Sequence, residues 1–194
     1  MSDSSAPRSP IDTDTKRSDA TLMCLIGRGD VEALQELIDR HWKGLVSQVD
    51  SMLHSLDEAQ DVAQEVFVRV WEHRTRWGPG GSARAYLYRI ARNLVLLRRR
   101  HLEVRERTES EVRRRAGRVA SPLEDLTHTE LREAFEKALD SLPDRRREAF
   151  LLVRFRGMSL HEAARVMNVT RRTVANHVYM AVCDLEDELR PFLS

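Results

Sequence analysis

Hydrophobic positions recur along this chain at helical spacing, and no stretch alternates apolar and polar residues over the length of a strand. The longest run is Val31, Leu34, Leu37, Ile38, Trp42, Leu45, Val46, Val49, Met52 and Leu53, an amphipathic helix with Asp30 placed to cap it. Ahead of it, Ser18 starts a short helix carrying Leu22, Leu25 and Ile26, closed by Gly29-Asp30. Behind it, Asp57 opens a third helix running to about Thr75, with Ala59, Val62, Val66 and Val70 inward. Trp77-Gly78-Pro79-Gly80-Gly81 is too rich in Gly and Pro to lie inside an element and reads as a loop. Ser82 then caps a fourth helix through about Arg100.

From His101 to Glu124 the periodicity fades into a charged segment ending at Ser121-Pro122, with the fourth helix continuing into it for a turn or two. Helices resume at about Asp125 to Asp140, Pro143 to Arg156, Ser159 to Met167 and Thr170 to Leu189. The last pair is specific in its detail. Ser159 with Glu162 three residues on is a capping box. Leu160, Ala163, Ala164 and Met167 form a small-residue stripe that permits close helix approach. Asn168-Val169-Thr170 breaks the pattern, since Asn tolerates left-handed geometry and Thr is a good N-cap. Val174, Val178, Ala181 and Leu185 face the core, and Arg172, Ala175, Asn176 and Tyr179 face out. This is the spacing of a helix-turn-helix, whose second helix lies in the major groove with its outward N-terminal residues at base edges. The plainer reading is two packed helices of an all-helical domain. The expected fold is therefore all-α: two small helical domains joined by a basic linker, the second with a helix-turn-helix. Its parts are a disordered tail over 1–20, a first domain over 21–100, a linker over 101–125 and a second domain over 126–194.

A length of 194 residues fits one or two domains, and a net charge of +1 does not announce nucleic acid. The distribution says more: from Arg98 to Arg118 there are nine Arg against four Glu. That excess suits a phosphate backbone, or simply a solvated linker. No hydrophobic run approaches a membrane span, the N-terminus lacks a signal-peptide pattern, and a cytoplasmic protein with no membrane insertion is expected. Cys24 and Cys183 are expected to be buried, reduced thiols.

Three surfaces could carry function. On the third helix Asp61, Gln64 and Glu65 sit at i, i+3 and i+4, with Val68 and Trp71 along the same ridge. An acidic and amide strip beside an aromatic suits protein docking; the alternative is a solvated face with Trp71 tucked inward. On the fourth helix Arg84, Tyr88 and Arg92 interleave cations with an aromatic, a mix suited to stacked bases and phosphates, or to ordinary snorkelling arginines. The third is the outward face of the last helix. His161, His177 and Cys183 lack zinc-site spacing, and no phosphate loop or nucleophile elbow is present. No catalysis, metal or cofactor is expected.

In this order and at these spacings the motifs resemble an extracytoplasmic-function sigma factor, the small two-domain type that directs bacterial RNA polymerase to promoters. The resemblance covers about Leu22 to Arg100 and Thr129 to Leu189. It rests on Gly29-Asp30 with Ala33-Leu34, Asp61 to Phe67 with Trp71, and Tyr86 to Asn93. In the second half it rests on Leu142-Pro143, Arg146 to Phe150, Gly157-Met158-Ser159, Glu162-Ala163-Ala164 and Thr173-Val174. The resemblance implies that Asp61, Gln64, Glu65, Val68 and Trp71 bind the clamp helices of the largest catalytic subunit of core RNA polymerase. It implies a minus-ten, melted-strand site at Trp77, Ser82, Tyr86, Tyr88, Arg89, Arg92 and Asn93, with Asn93 capturing a flipped base. It implies duplex reading of the minus-thirty-five element by Arg171, Arg172, Ala175, Asn176, His177 and Tyr179. A partner anti-sigma factor is usual in the family. Tyr86 stands where the family usually has Trp, and Ala175, His177, Met180 and Val182 stand where members tend to carry Arg or Lys, which weakens upstream readout. The linker could span at most about 80 Å extended, against roughly 70 Å between promoter elements two helical turns apart. Two other functions stay open: a stand-alone helix-turn-helix regulator, and a polymerase-binding protein with little promoter readout.

Overall fold

The computed structural model describes residues 17–78, 81–108 and 129–192, all of whose regular elements are helical. Four helices form the N-terminal group: α1 (Asp19–Gly27), α2 (Val31–Leu53), α3 (Leu56–Glu72) and α4 (Ala83–Thr108). Four form the C-terminal group: α5 (Thr129–Ser141), α6 (Asp144–Phe150), α7 (Leu160–Met167) and α8 (Arg171–Leu189). The expected tail lies outside the described residues except at its end, where Asp19 and Ala20 already belong to α1. α4 continues to Thr108, about two turns into the expected linker; the rest of that segment, and the α5 start expected at Asp125, fall in 109–128, outside the described residues.

Local chemistry explains the element ends. The side chains of Ser18, Asp30, Ser55, Ser159 and Thr170 each accept the backbone N–H three residues on, which satisfies a donor that the first helical turn leaves free. At Ser159 the Glu162 carboxylate returns the bond to the Ser159 N–H at 2.9 Å, completing the capping box. Asn168 ends α7 at φ 54°, the left-handed geometry its short amide tolerates. His54 does the same for α2 at φ 55°, a stop that no residue preference announced. The helix expected from Pro143 to Arg156 is α6 followed by a π-type turn over Leu151–Phe155, with the Arg156 N–H donating to the Leu151 carbonyl at 3.0 Å.

The apolar faces assemble as the periodicity requires. Leu22, Ile26, Leu37, Leu45, Val49, Val62, Val66, Val70, Leu87 and Val95 are buried together in the N-terminal group. Val31, counted with that face in sequence, is 63% exposed because it lies in the first turn of α2, outside the packed stretch. The core does not stop at α4. Ala149, Leu152, Met158, Ala163, Ala164, Val166 and Met167 join the same cluster, so the two helical groups pack directly on each other. A smaller cluster of Ala138, Leu142, Phe150, Ala181 and Leu185 holds α5, α6 and α8 together. The cysteine expectation is corrected: Cys24 is exposed and Cys183 half-buried, because neither falls on a buried stripe of its helix.

Candidate docking and nucleic-acid surfaces

The ridge of α3 is free. Asp61, Gln64 and Val68 are exposed, Val68 by 50%, and Glu65 is partly so, held by a bidentate contact from Arg69 one turn on. Trp71 is half-buried against the core, with the Arg74 guanidinium 4.6 Å from its ring centroid. Both sequence alternatives are thus partly realised: one edge of the indole packs inward while the strip beside it faces out.

The seven minus-ten candidates divide. Arg89 and Asn93 are exposed on one face of α4, with Leu97 a turn further along that face. Tyr86 stands beside them, its ring 5.4 Å from that of Trp77 and 5.7 Å from the Arg89 guanidinium. Gly81 lets the loop turn over the indole, since a Cβ there would lie 3.0 Å from Trp77. Tyr88 and Arg92 are buried instead, which corrects their sequence placement on an accessible nucleic-acid face. The reason is packing: their side of α4 is covered by α6 and α7. Arg92 Nε donates to Glu148 Oε1 at 2.7 Å, and Tyr88 lies over Gly44, where a Cβ would come within 2.6 Å of its hydroxyl. Burial raises the Tyr88 phenol above its ordinary pKa, against the nearby charges of Arg156 and Arg84. Ser82 caps α4, its hydroxyl accepting the Ala85 N–H at 3.2 Å. Burial pushes the Glu162 carboxyl up, but hydrogen bonds from Ser82 and Ser159 and the charge of Arg84 outweigh it and leave the group below its usual range.

At the start of α8, Arg171 and Arg172 are exposed, and an open groove runs between them and Ser159, Leu160 and His161 at the start of α7. Two helix N-termini and two cations thus converge on one groove, an arrangement favourable to phosphate. Asn176 is exposed, Ala175 and His177 are half-buried, and Tyr179 is 67% exposed. The neighbouring Cys183 raises the Tyr179 phenol above its ordinary pKa. The acidic end of the helix is partly neutralised, Asp184 by Arg146 at 2.6 Å and Asp187 by Arg190 at 2.7 Å.

Sequence reasoning missed the residues between the two groups: Gly44, Gln48, Arg147 and Glu148. Arg147 is buried and donates to the carbonyls of Leu139 (2.9 Å), Asp140 and Leu142 (3.0 Å), closing the end of α5, and to the Ser51 carbonyl at 3.1 Å. Burial pulls its pKa down. No periodicity marks these polar positions as interior.

Residues 37–105 match the family described as Sigma-70 region 2, and residues 132–182 match Sigma-70, region 4. The ECF RNA polymerase sigma factor EcfG of Rhodopseudomonas palustris is 32% identical over 133 residues, 68% of this chain and 71% of that protein. This chain belongs to the ECF RNA polymerase sigma factor family. The RNA polymerase sigma-H factor of Pseudomonas aeruginosa is also similar, 26% identical over 191 residues, 92% of this chain and 97% of the relative. As a sigma factor, the protein binds core RNA polymerase, recognises promoter DNA and directs transcription initiation. Its fold is similar to that of the sigma factor RpoE of Bartonella quintana, solved with the anti-sigma factor NepR. That likeness has a TM-score of 0.70 at 21% identity, over 80% of this chain and 96% of the other. Among the described residues no helix is long and apolar enough to cross a membrane.

Proposed function

We propose that this ECF sigma factor grips polymerase through the ridge of α3, captures melted non-template strand on the open face of α4, and reads upstream duplex with α8. The observation that carries the reading is the free strip of Asp61, Gln64, Glu65 and Val68 beside Trp71. An exposed valine flanked by a carboxylate and an amide on a rigid helix is a small apolar anchor with an orienting rim, suited to the clamp helices of the largest subunit. On α4, Asn93 offers an amide to the edge of an extruded base, Tyr86 and Trp77 offer ring faces, and Arg89 offers charge for phosphate. The action is binding in the cytoplasm, without chemistry on the chain's own residues. Pocket contacts must offset the few kcal/mol of lost stacking and pairing in the melted base. The sigma factor RpoE of Bartonella quintana, a structural relative solved with the anti-sigma factor NepR, supports regulation of this chain by a protein of that kind.

Replacing Asp61→Ala together with Glu65→Arg tests the docking strip. Neither side chain is buried, and the lost Glu65–Arg69 pair is an i,i+4 surface contact of about 0.3–0.5 kcal/mol. Helicity and melting should stay close to wild type while affinity for core polymerase falls at least tenfold, about 1.4 kcal/mol. Wild-type affinity in the double variant assigns docking to another surface.

A further inference from the structure

A cavity of about 90 Å³ lies where α2, α4 and α6 meet, and its wall is strongly cationic. Arg92 and Arg99 of α4 and Arg145 and Arg147 of α6 line it, against two carboxylates, Asp144 and Glu148. Four guanidinium groups against two carboxylates leave a surplus of two positive charges. The chain's own groups do not absorb that surplus. Glu148 is taken by Arg92 Nε at 2.7 Å, and Asp144 by Arg99 Nη1 at 2.8 Å. Arg147 donates to the carbonyls of Ser51, Leu139, Asp140 and Leu142, which are dipoles and carry no net charge. Arg92 is 6% exposed and donates through Nε alone, so both its Nη groups are unmatched among the described residues. Arg145 is exposed and makes no hydrogen bond or ion pair among the described residues. Buried donors without acceptors are costly, and cations crowded together repel. The crowding registers on Arg147: burial pulls its pKa down, Asp144 opposes this, and the charge of Arg99 adds to the fall. A smaller void beside the cavity shares Arg92 and Glu148 and is lined by Gln48, 4% exposed, neither of whose amide atoms has a partner.

We infer that this cavity is a binding site for a phosphate-class oxyanion. Size, charge and donor geometry select that ligand. At roughly 10–15 Å³ per water, the space takes several waters, enough for a tetrahedral anion and too little for a nucleoside. A phosphoryl group brings a charge of about −1.5 to −2 at pH 7, which matches the surplus. Guanidinium forks fit its oxygens two at a time. Arg145 and Asp144 are both exposed, so ligand enters from solvent on their side. The same chemistry serves free phosphate and the phosphoryl end of a larger molecule whose remainder stays outside. None of these residues belongs to the α3 ridge, the open face of α4 or the start of α8, and the inference rests on no part of the promoter reading.

Titration calorimetry of the full chain with inorganic phosphate tests the site, with ionic strength held constant by potassium chloride. One saturable site of millimolar affinity or better is expected. Arg145→Ala removes a cation that holds nothing in the fold. Helicity and melting should match wild type while phosphate affinity falls at least tenfold. Arg145→Lys keeps the charge without the fork and should recover part of the loss. Arg172→Ala, at the open groove of α8, should leave phosphate affinity unchanged. Adenosine monophosphate separates the two sources. Affinity equal to that of phosphate means that the site accepts the phosphoryl end of a larger molecule; affinity for phosphate alone means that the free ion is the ligand, and either supports the site. No saturable binding, binding that survives Arg145→Ala, or binding lost with Arg172→Ala in its place overturns it.

Discussion

Asn93 illustrates how much a single residue's surroundings decide. It sits one position from buried Arg92, yet the turn of the helix points it to solvent with Arg89 and Leu97 a turn to either side. An exposed amide there stabilises nothing, which leaves it available to a base edge. A matched amide–base pair discriminates by about 1–3 kcal/mol, and alanine offers neither donor nor acceptor. Asn93→Ala should therefore bind core polymerase as wild type does and lose discrimination at one position of the downstream element, by roughly 5- to 150-fold. Open-complex formation on promoters varied base by base would measure it; an unchanged preference at every position moves base capture to another residue. The sequence pattern found Asn93 because it stands in a recognisable run, but the same run made Arg92 look equivalent. One position along a helix is a rotation of about 100°, enough to exchange solvent for core.

At the scale of elements, the caps were legible and the irregularities were not. Ser18, Asp30, Ser159 and Thr170 announce helix starts through a side-chain oxygen suited to the third amide, and each makes that bond. The π-type turn at Leu151–Phe155 left no such mark, because it adds a residue to a turn without any Gly or Pro. It leaves Phe155 half-exposed, with its ring 5.9 Å from that of Phe150 and 6.2 Å from that of Phe135. The last helix was legible in its buried face but not in its strength of grip. Two arginines at its start face an open groove, while Ala175 and Met180 have no donor for a base or phosphate. Each added phosphate contact steepens binding and its salt dependence. In the full chain, Ala175→Arg with Met180→Arg should strengthen duplex binding several-fold at low salt and steepen the decline with salt, and Arg172→Ala should weaken it. Titration of labelled upstream duplex at two salt concentrations would check both. No gain from two added arginines would place the duplex on a different face of α8.

For the whole molecule, the sequence pattern implied two domains on a tether, and the structure packs residues of α6 and α7 into the same apolar cluster as the N-terminal group. Nothing in the pattern joined Arg92 to Glu148, since charged side chains are assigned outward unless a partner is visible, and these lie 56 positions apart. The seam they form has a pH signature. Burial raises the Glu148 carboxyl above its ordinary pKa, against the pull of Arg92 and, further off, Arg145 and Arg99. On unfolding, the group returns toward its ordinary value of 4.5. The folded state therefore binds the proton more tightly, so Glu148 favours folding below the ordinary value and loses that contribution as pH rises through the raised one. Asp144 acts in the opposite sense. The hydrogen bond from Arg99 holds it below its ordinary value, so its contribution is present above that value and is lost as pH falls through the lowered one. Its side chain is largely exposed, and screening keeps that contribution small. The carboxyl is isolated by Glu148→Gln, which keeps an oxygen for Arg92 and cannot titrate. As pH falls toward the ordinary carboxylate value, the chain with Glu148 should gain thermal stability relative to the Glu148→Gln chain. Parallel pH profiles for the two chains would mean that the Glu148 carboxyl does not feel its burial in the seam.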